Sequence, residues 1–447
     1  MSDFIRQDLQ ATGVAPVICV LKAPERGAAA STSARDLSQF FVSSELSQES
    51  ALATAAAGEL ESARPHDRRG RSRAARDAEA TVRAAAALEA RPAVLDRPVP
   101  ESEPPPLVRY YPNLGVAFGN VNRQGLAALR KHEEVAAVFS APRIGLIRPT
   151  KVTAAALRSR VTWGIRQLRI PKLWDEGLQG NGVLVGHLDT GVDGSHPGLT
   201  TAIASFAEFD FFGREVLPAP SPHDTDEHGT HTAGTIAGRP QGERNFGVAP
   251  KAQLATAIVI EGGQVVARLL GGMDWIVGQG ARILSMSLGL RGWFDDFLPL
   301  TEILRARGVL PVFAVGNEGA GTSRSPGNYS EALSVGAMGR DGTIASFSSS
   351  QRFARPRDPV VPDVVAPGVA VVSARPGGGF QSMDGSSMAT PHIAGLAALL
   401  LEAKPSATVD QLEGAILSSA TLDPGWSPER AGRGLPDGPQ ALRLLTG

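Results

Sequence analysis

An aspartate, a histidine and a serine follow one another along this chain, each on a glycine-rich bend beside an apolar run. The stretches are Leu188-Asp189-Thr190-Gly191, His228-Gly229-Thr230-His231 and Gly385-Ser386-Ser387-Met388-Ala389-Thr390-Pro391-His392. Acyl transfer by a hydroxyl nucleophile needs a base to take its proton and a carboxylate to orient that base. These three residue types supply all of that. The order Asp…His…Ser differs from the two other common orders, His…Asp…Ser and Ser…Asp…His. The tetrahedral intermediate of acyl transfer carries an oxyanion that must meet donors. Asn317, in Phe313-Ala314-Val315-Gly316-Asn317-Glu318-Gly319, offers a side-chain amide, and the Ser387 backbone N–H is a second donor.

Each residue also has a plainer reading. Ser386 or Ser387 would serve as the cap of the helix that follows. His228 and His231, three apart on a helix, would suit a metal, but no third His, Cys or carboxylate stands at a ligand spacing. Asp189 would cap the turn at 190–192, and Asn317 would take left-handed dihedrals in a turn. The four together, in order, favour the chemistry. His231 is expected to be a packed or hydrogen-bonded helix residue, and the other histidines solvent-facing or structural.

The elements that must hold these residues are short apolar strands: Val183–Leu188, Gln253–Val259, Ile283–Ser287, Leu310–Val315, Leu333–Ala337 and Val364–Ala366. Between several of them lie helical lengths, at His228–Ala237, Val265–Gln279 and Thr301–Arg307. Met388–Ala403 reads as a further helix, with Pro391 tolerated in its first turn. Strands apolar throughout that alternate with helices predict an α/β fold with a mainly parallel central sheet covered by helices on both faces. Such sheets place ligands at the carboxyl ends of their strands, where Asp189 and Asn317 fall.

Upstream, Pro16–Leu21 reads as a strand. From Glu25 to Pro106 the composition turns to Ala, Arg, Glu and Ser, with two weakly amphipathic helices at Ser44–Ala63 and Gly70–Ala90 and a Pro-rich linker after them. Leu107–Tyr111, Gly115–Val121 and Val135–Ser140 read as strands and Gln124–Lys131 as a helix. The order β-α-β-β-α-β predicts a small antiparallel sheet with helices on one face, an α+β module carrying a helical insertion. Arg148–Arg160 shows no clear period and reads as a connector open to cutting. The predicted division is 1–150, then a connector at 151–162, then 163–447.

With 44 Lys+Arg against 45 Asp+Glu, the charge balance gives no reason to expect nucleic acid or an anionic membrane as a partner. Its single cysteine, Cys19, excludes an intrachain disulfide. The longest apolar run, Ile393–Leu401, falls short of the roughly 20 residues of a membrane span. The N-terminus lacks a basic segment followed by an apolar stretch, so no classical signal peptide is expected. The expected address is the cytoplasm, with export by a non-classical route as the alternative. A phosphate loop is excluded, since Gly377-Gly378-Gly379 lacks the Lys-Ser/Thr that would follow.

The stretches Val185–Val192, Asp226–Gly238, Ile283–Gly289, Pro311–Gly319 and Asp363–Gly395 resemble those of the subtilisin-like serine peptidases (peptidase family S8). The resemblance runs from about Trp163 to Leu442. It implies that Asp189, His228 and Ser387 are the triad, with Ser387 rather than Ser386 as nucleophile, and that Asn317 is the oxyanion donor. It further implies that Ser287-Leu288-Gly289 pairs with an extended substrate and walls the primary pocket, and that Gly262-Gly263-Gln264 is the opposite strand. Glu318 would lie at the pocket mouth and favour a basic side chain. The N-terminal module, Tyr110–Ser140 above all, is similar to the family's ferredoxin-like inhibitory (I9-type) propeptide, which implies a zymogen that cuts itself within 147–160.

Two departures from the family pattern stand out. Gly198 occupies the place of a common calcium-ligating Asp, and the loop Arg239–Asn245 has few oxygen ligands, so no strong calcium site, no other metal and no required cofactor are expected, with room only for a weak structural calcium. The 25–106 insertion departs from the compact propeptide and would suit a regulatory partner. The expected partners are polypeptide substrates and the chain's own prodomain. The rival reading is a pseudoprotease, a binding or scaffold protein with that module permanently docked.

Overall fold

The computed structural model describes residues 3–22, 37–43, 107–141, 144–210, 212–260, 265–355 and 358–447. The two helices expected at Ser44–Ala63 and Gly70–Ala90 lie outside the described residues.

The N-terminal part forms a four-stranded antiparallel sheet from β1 (Ala15–Leu21), β2 (Val108–Tyr111), β3 (Val116–Val121) and β4 (Val135–Ser140), in the order β2-β3-β1-β4. The helices Asp3–Ala11 and Arg123–Leu129 join it, and the first of these was not foreseen. Asn122 caps the second through its side chain, which accepts from the Gly125 N–H at 2.8 Å. Leu37 and Phe41 pack into the same small core as Ile5, Val17 and Leu126, so the start of the long insertion returns to the sheet.

Two short strands come next. β5 (Gly145–Leu146) and β6 (Lys151–Ala155) lead into the larger part. There, β7 (Leu184–Asp189), β8 (Ile203–Glu208), β9 (Gln253–Ile258) and β10 (Ile283–Met286) form four strands of a seven-stranded sheet. β11 (Leu288–Arg291) leaves it after β10 and pairs with β13 (Arg324–Ser325), while β12 (Leu310–Ala314) and β14 (Leu333–Met338) extend it. β15 (Gln351–Arg352) and β16 (Val360–Val361) make a separate pair, β17 (Val364–Pro367) ends the large sheet, and β18 (Val371–Ala374) pairs with β19 (Phe380–Asp384).

The large sheet runs β17-β14-β12-β10-β7-β9-β8, and every pairing in it is parallel. Parallel strands are buried on both faces, which is why they read as continuous apolar runs. All five residues of β12 and all six of β14 are buried. β8 escaped the sequence reading because its burial is mixed and its run includes Ser205 and Glu208. As the expectation required, helices lie around the sheet. His228–Ala237 and Ser386–Ala403 pack together, and residues 386–401 of the second are buried throughout. None of the helices among the described residues is long and apolar enough to cross a membrane.

The small sheet docks on the large part through one apolar cluster that includes Ile18, Tyr111, Val116 and Phe118 from one side and Val266, Leu270 and Met273 from the other. Polar contacts fix the docking. The Asp274 carboxylate accepts from the Asn113 and Leu114 N–H groups at 2.7 and 2.9 Å, and Asp296 accepts from the Ser140 N–H at 3.0 Å.

Candidate active site

Asp189 is the last residue of β7, and His228 opens the helix His228–Ala237. His228 Nδ1 lies 2.7 Å from Asp189 Oδ1, and both residues are 1% exposed. Asp189 Oδ1 also accepts from the Thr190 N–H at 2.8 Å, and Oδ2 from the Thr232 hydroxyl at 3.2 Å. Burial alone would raise the Asp189 carboxyl, but the charge and hydrogen bond of His228, with His187 and the Thr190 N–H, hold it below its usual range. Burial likewise would lower His228, and the charge and bond of Asp189, with Asp226 and Asp224, raise it. The bond to Asp189 holds the His228 imidazole in one tautomer, the Nδ1 proton shared with the carboxylate. Its Nε2 is buried and has no hydrogen-bond partner among the described residues.

Asp224 is a residue the sequence reading missed. It accepts from the Thr190 hydroxyl at 2.7 Å and from the Thr230 N–H and hydroxyl at 2.6 and 2.5 Å. It therefore ties the bend after Asp189 to the first turn of the His228 helix. Burial pushes its carboxyl up to about 6. Its signal was available, an acid two residues before Asp226-Glu227-His228, but sequence spacing does not say which bend it bridges.

Ser387 stands in the first turn of the helix Ser386–Ala403, after Gly385. Pro391 falls in the second turn of that helix, not in the first as the sequence suggests. Proline has no N–H to give to the carbonyl four residues back, which is that of Ser387. The Ser287 hydroxyl approaches that carbonyl instead, at 3.5 Å. Ser386 has its own task. Its N–H and hydroxyl both donate to Asn317 Oδ1, at 2.8 and 2.9 Å, which turns the amide Nδ2 outward.

Across these residues runs the segment that links the small sheet to the large part. β5 pairs antiparallel with β11, Leu146 opposite Leu288 and Gly145 opposite Gly289, and the Ile147 N–H donates to the Ser287 carbonyl at 3.0 Å. β6 pairs antiparallel with β19, and the Thr150 N–H donates to the Asp384 carbonyl at 2.7 Å. Between the two pairings, Ser387 Oγ donates to the Ile147 carbonyl at 2.7 Å, and Asn317 Nδ2 donates to the Arg148 carbonyl at 2.9 Å. The region read as an unpatterned connector, Arg148–Arg160, thus holds the bridge and the paired strand β6. Its strand β6 is exposed at nearly every position, which left no period to read.

Ser287, Leu288 and Gly289 lie where an extended chain pairs. Gly262, Gly263 and Gln264 lie outside the described residues. Glu318 does not present a free carboxylate. Its Oε1 accepts from Arg324 Nε and Nη2 at 2.9 and 2.5 Å, and its Oε2 from the Asn317 N–H at 3.1 Å. His231, as expected, is packed, with Nε2 2.9 Å from the Val371 carbonyl oxygen. No group of three or more His, Cys, Asp or Glu among the described residues is arranged to hold a metal.

A sequence profile described as Peptidase_S8, Subtilase family, matches residues 180–436. The M-protease of Shouchella clausii (strain KSM-K16) is 36% identical over 291 residues, 65% of this chain and 72% of its own length. Subtilisin Savinase of Lederbergia lenta is 37% identical over 263 residues, 58% of this chain and 91% of its own length. The thermostable alkaline protease of Halalkalibacterium halodurans is 32% identical over 339 residues, 75% of this chain and 86% of its own length. The profile covers more than half of the chain, and the chain belongs to the subtilase family of serine peptidases.

Proposed function

We propose that the chain is a serine endopeptidase made with an N-terminal inhibitory module. The observation that carries this reading is the buried 2.7 Å bond between Asp189 and His228, beside a Ser387 hydroxyl and an Asn317 amide that both hold backbone carbonyls of one extended segment. Ser387 Oγ attacks the scissile carbonyl carbon, and His228 Nε2 takes its proton. Asn317 Nδ2 and the Ser387 N–H receive the oxyanion. The C–N bond then breaks, and His228 returns the proton to the leaving amine. Water repeats the sequence on the acyl-enzyme. Asp189 stays ionised throughout and stabilises the imidazolium. These steps use side chains, one backbone N–H and water, and call for no cofactor.

In this reading residues 1–150 are the inhibitory module, 151–162 the connector and 163–447 the catalytic part, with release by a cut within 147–160. Polypeptides are the substrates, paired as a strand against Ser287–Gly289. The test is labelling of the full chain with a fluorophosphonate and hydrolysis of quenched peptides. Both should occur, and both should vanish in Ser387→Ala, which should also remain one full-length band. Absence of labelling and hydrolysis after the N-terminal module has been cut away would instead favour a binding protein with an inert site.

A further inference from the structure

We propose that Arg324 is the specificity-determining residue of this site, closing the primary pocket so that it takes short neutral side chains and rejects long and cationic ones. The proposal rests on the peptidase reading above and deepens it.

The place of the pocket follows from the segment already lying in the site. That segment pairs with β11 and presents the carbonyl of Ile147, a residue 1% exposed, to Ser387 Oγ. A substrate laid the same way sends the side chain of that residue between β11 and the Gly316–Asn317 bend. Arg324 already occupies this space. It lies on β13, paired with β11 through Arg291, and is 5% exposed. Its stem touches both walls. A methyl group added to Gly289 would meet Arg324 Cβ at 2.9 Å, and one added to Gly316 would meet Arg324 Cγ at 3.2 Å. Its guanidinium is fully engaged, with Nη1 donating to the Gly289 carbonyl at 3.0 Å and the other nitrogens to Glu318. A buried arginine bonded on all sides is fixed, so the pocket is shallow by construction.

Charge points the same way. Glu318 was expected to attract a basic side chain. Burial would raise its carboxyl, but Arg324, by bond and charge, and Arg291 at 3.7 Å hold it below the usual range. Two guanidinium groups face one carboxylate, so the pocket carries net positive charge.

The experiment uses the full chain and pairs of otherwise identical peptides competing in one tube, differing only before the scissile bond. The ratio of kcat/KM within a tube does not depend on how many sites the N-terminal segment leaves open. The wild type should cut after Ala at least about ten-fold faster than after Lys or Phe, a ratio of about 1.4 kcal/mol or more. Arg324→Ala deepens the pocket and strips Glu318 of its partner, so cutting after Lys should rise at least about ten-fold relative to Ala. Glu318→Gln, which leaves Arg324 in place, should instead raise cutting after Glu. A wild type that prefers Lys or Phe, or an Arg324→Ala ratio equal to the wild-type one, overturns the proposal. So does a rise in Lys cleavage in Glu318→Gln. Loss of all cleavage and labelling in the wild type overturns the peptidase reading and this one with it.

Discussion

Ser387 and Asn317 hold two successive carbonyls of one segment, not the same carbonyl. Ser387 Oγ donates to Ile147 and Asn317 Nδ2 to Arg148, the next residue. Attack requires a single carbonyl to face both the nucleophile and the oxyanion donor. The backbone pairings on either side explain the mismatch. Ile147 is the last residue paired with Ser287 and Thr150 the first paired with Asp384, so Arg148 and Pro149 bridge the gap. Neither bond of the bridge is well placed, and Arg148–Pro149 has a tertiary amide whose ring crowds the leaving-nitrogen side.

The first prediction follows from this bridge. The wild-type chain should cut itself slowly, and Pro149→Ala, which frees the bridge to slide into one register, should speed the cut. Misplacement by about 1 Å costs on the order of 10²-fold, which sets the scale of the gain. A time course of the full-length band on a gel reads it. Equal rates for the two proteins would sink the idea.

A second prediction concerns how the N-terminal sheet lets go. Asp274 receives two backbone N–H groups and the Asn113 amide across the docking surface. Asp274→Ala leaves those donors unmet. Hydrogen bonds to a charged group contribute roughly 1.5–3 kcal/mol each at most, so docking should weaken by about ten-fold or more. The measure is the rate at which a fluorophosphonate labels Ser387 in the full chain, which should rise. An unchanged labelling rate would mean that the apolar cluster alone holds the module.

Much of this site was legible because its residues sit on local features. Asp189 ends an apolar strand, His228 opens a helix, Ser387 lies in the first turn of another and Asn317 follows a strand, so the elements that carry them are the ones the sequence predicts. The helix at His228–Ala237 has the bounds its composition suggested. What escaped is what depends on distant partners. β6 has no apolar face of its own and is a strand only because β19 pairs with it. Glu318 looked like a free acid because its partner Arg324 stands beyond the glycine-rich bend, and nothing in the spacing says that Arg324 folds back on it. The work of Ser386 was hidden for the same reason, since Asn317 is 69 residues upstream.

Ser386 supplies the third prediction. By holding Asn317 Oδ1 it fixes which end of the amide faces the substrate. Asn317→Ala should lower kcat by roughly 10²–10³-fold, a scale taken from an oxyanion donor of a subtilisin and so borrowed from a relative. Ser386→Ala removes one of two donors to Oδ1 and should lower kcat by less, with KM little changed, because only the transition state needs the amide. Should Ser386→Ala raise KM and leave kcat alone, Ser386 would be shaping the cleft and not positioning Asn317.

The last prediction is the pH profile. Catalysis needs a neutral His228. Burial disfavours its charged form, but the charge and bond of Asp189, aided by Asp226 and Asp224, outweigh burial and raise it above the ordinary 6.5. Activity of the opened site should therefore rise with pH along a limb centred above 6.5. For stability the signs differ. A raised His228 contributes fully below its unfolded value and loses that contribution as pH rises through its folded value. A lowered Asp189 contributes above its unfolded 3.8 and loses that as pH falls through its folded value. The pair is thus worth most between about 4 and 6.5, below the range in which the enzyme works best. In Asp189→Asn, burial is left to act on His228 without its counter-charge. The limb should then move to lower pH, while kcat falls by roughly 10⁴-fold because the tautomer is no longer held. A wild-type limb at or below 6.5, or one that Asp189→Asn leaves in place, would show that Asp189 does not set the basicity of His228.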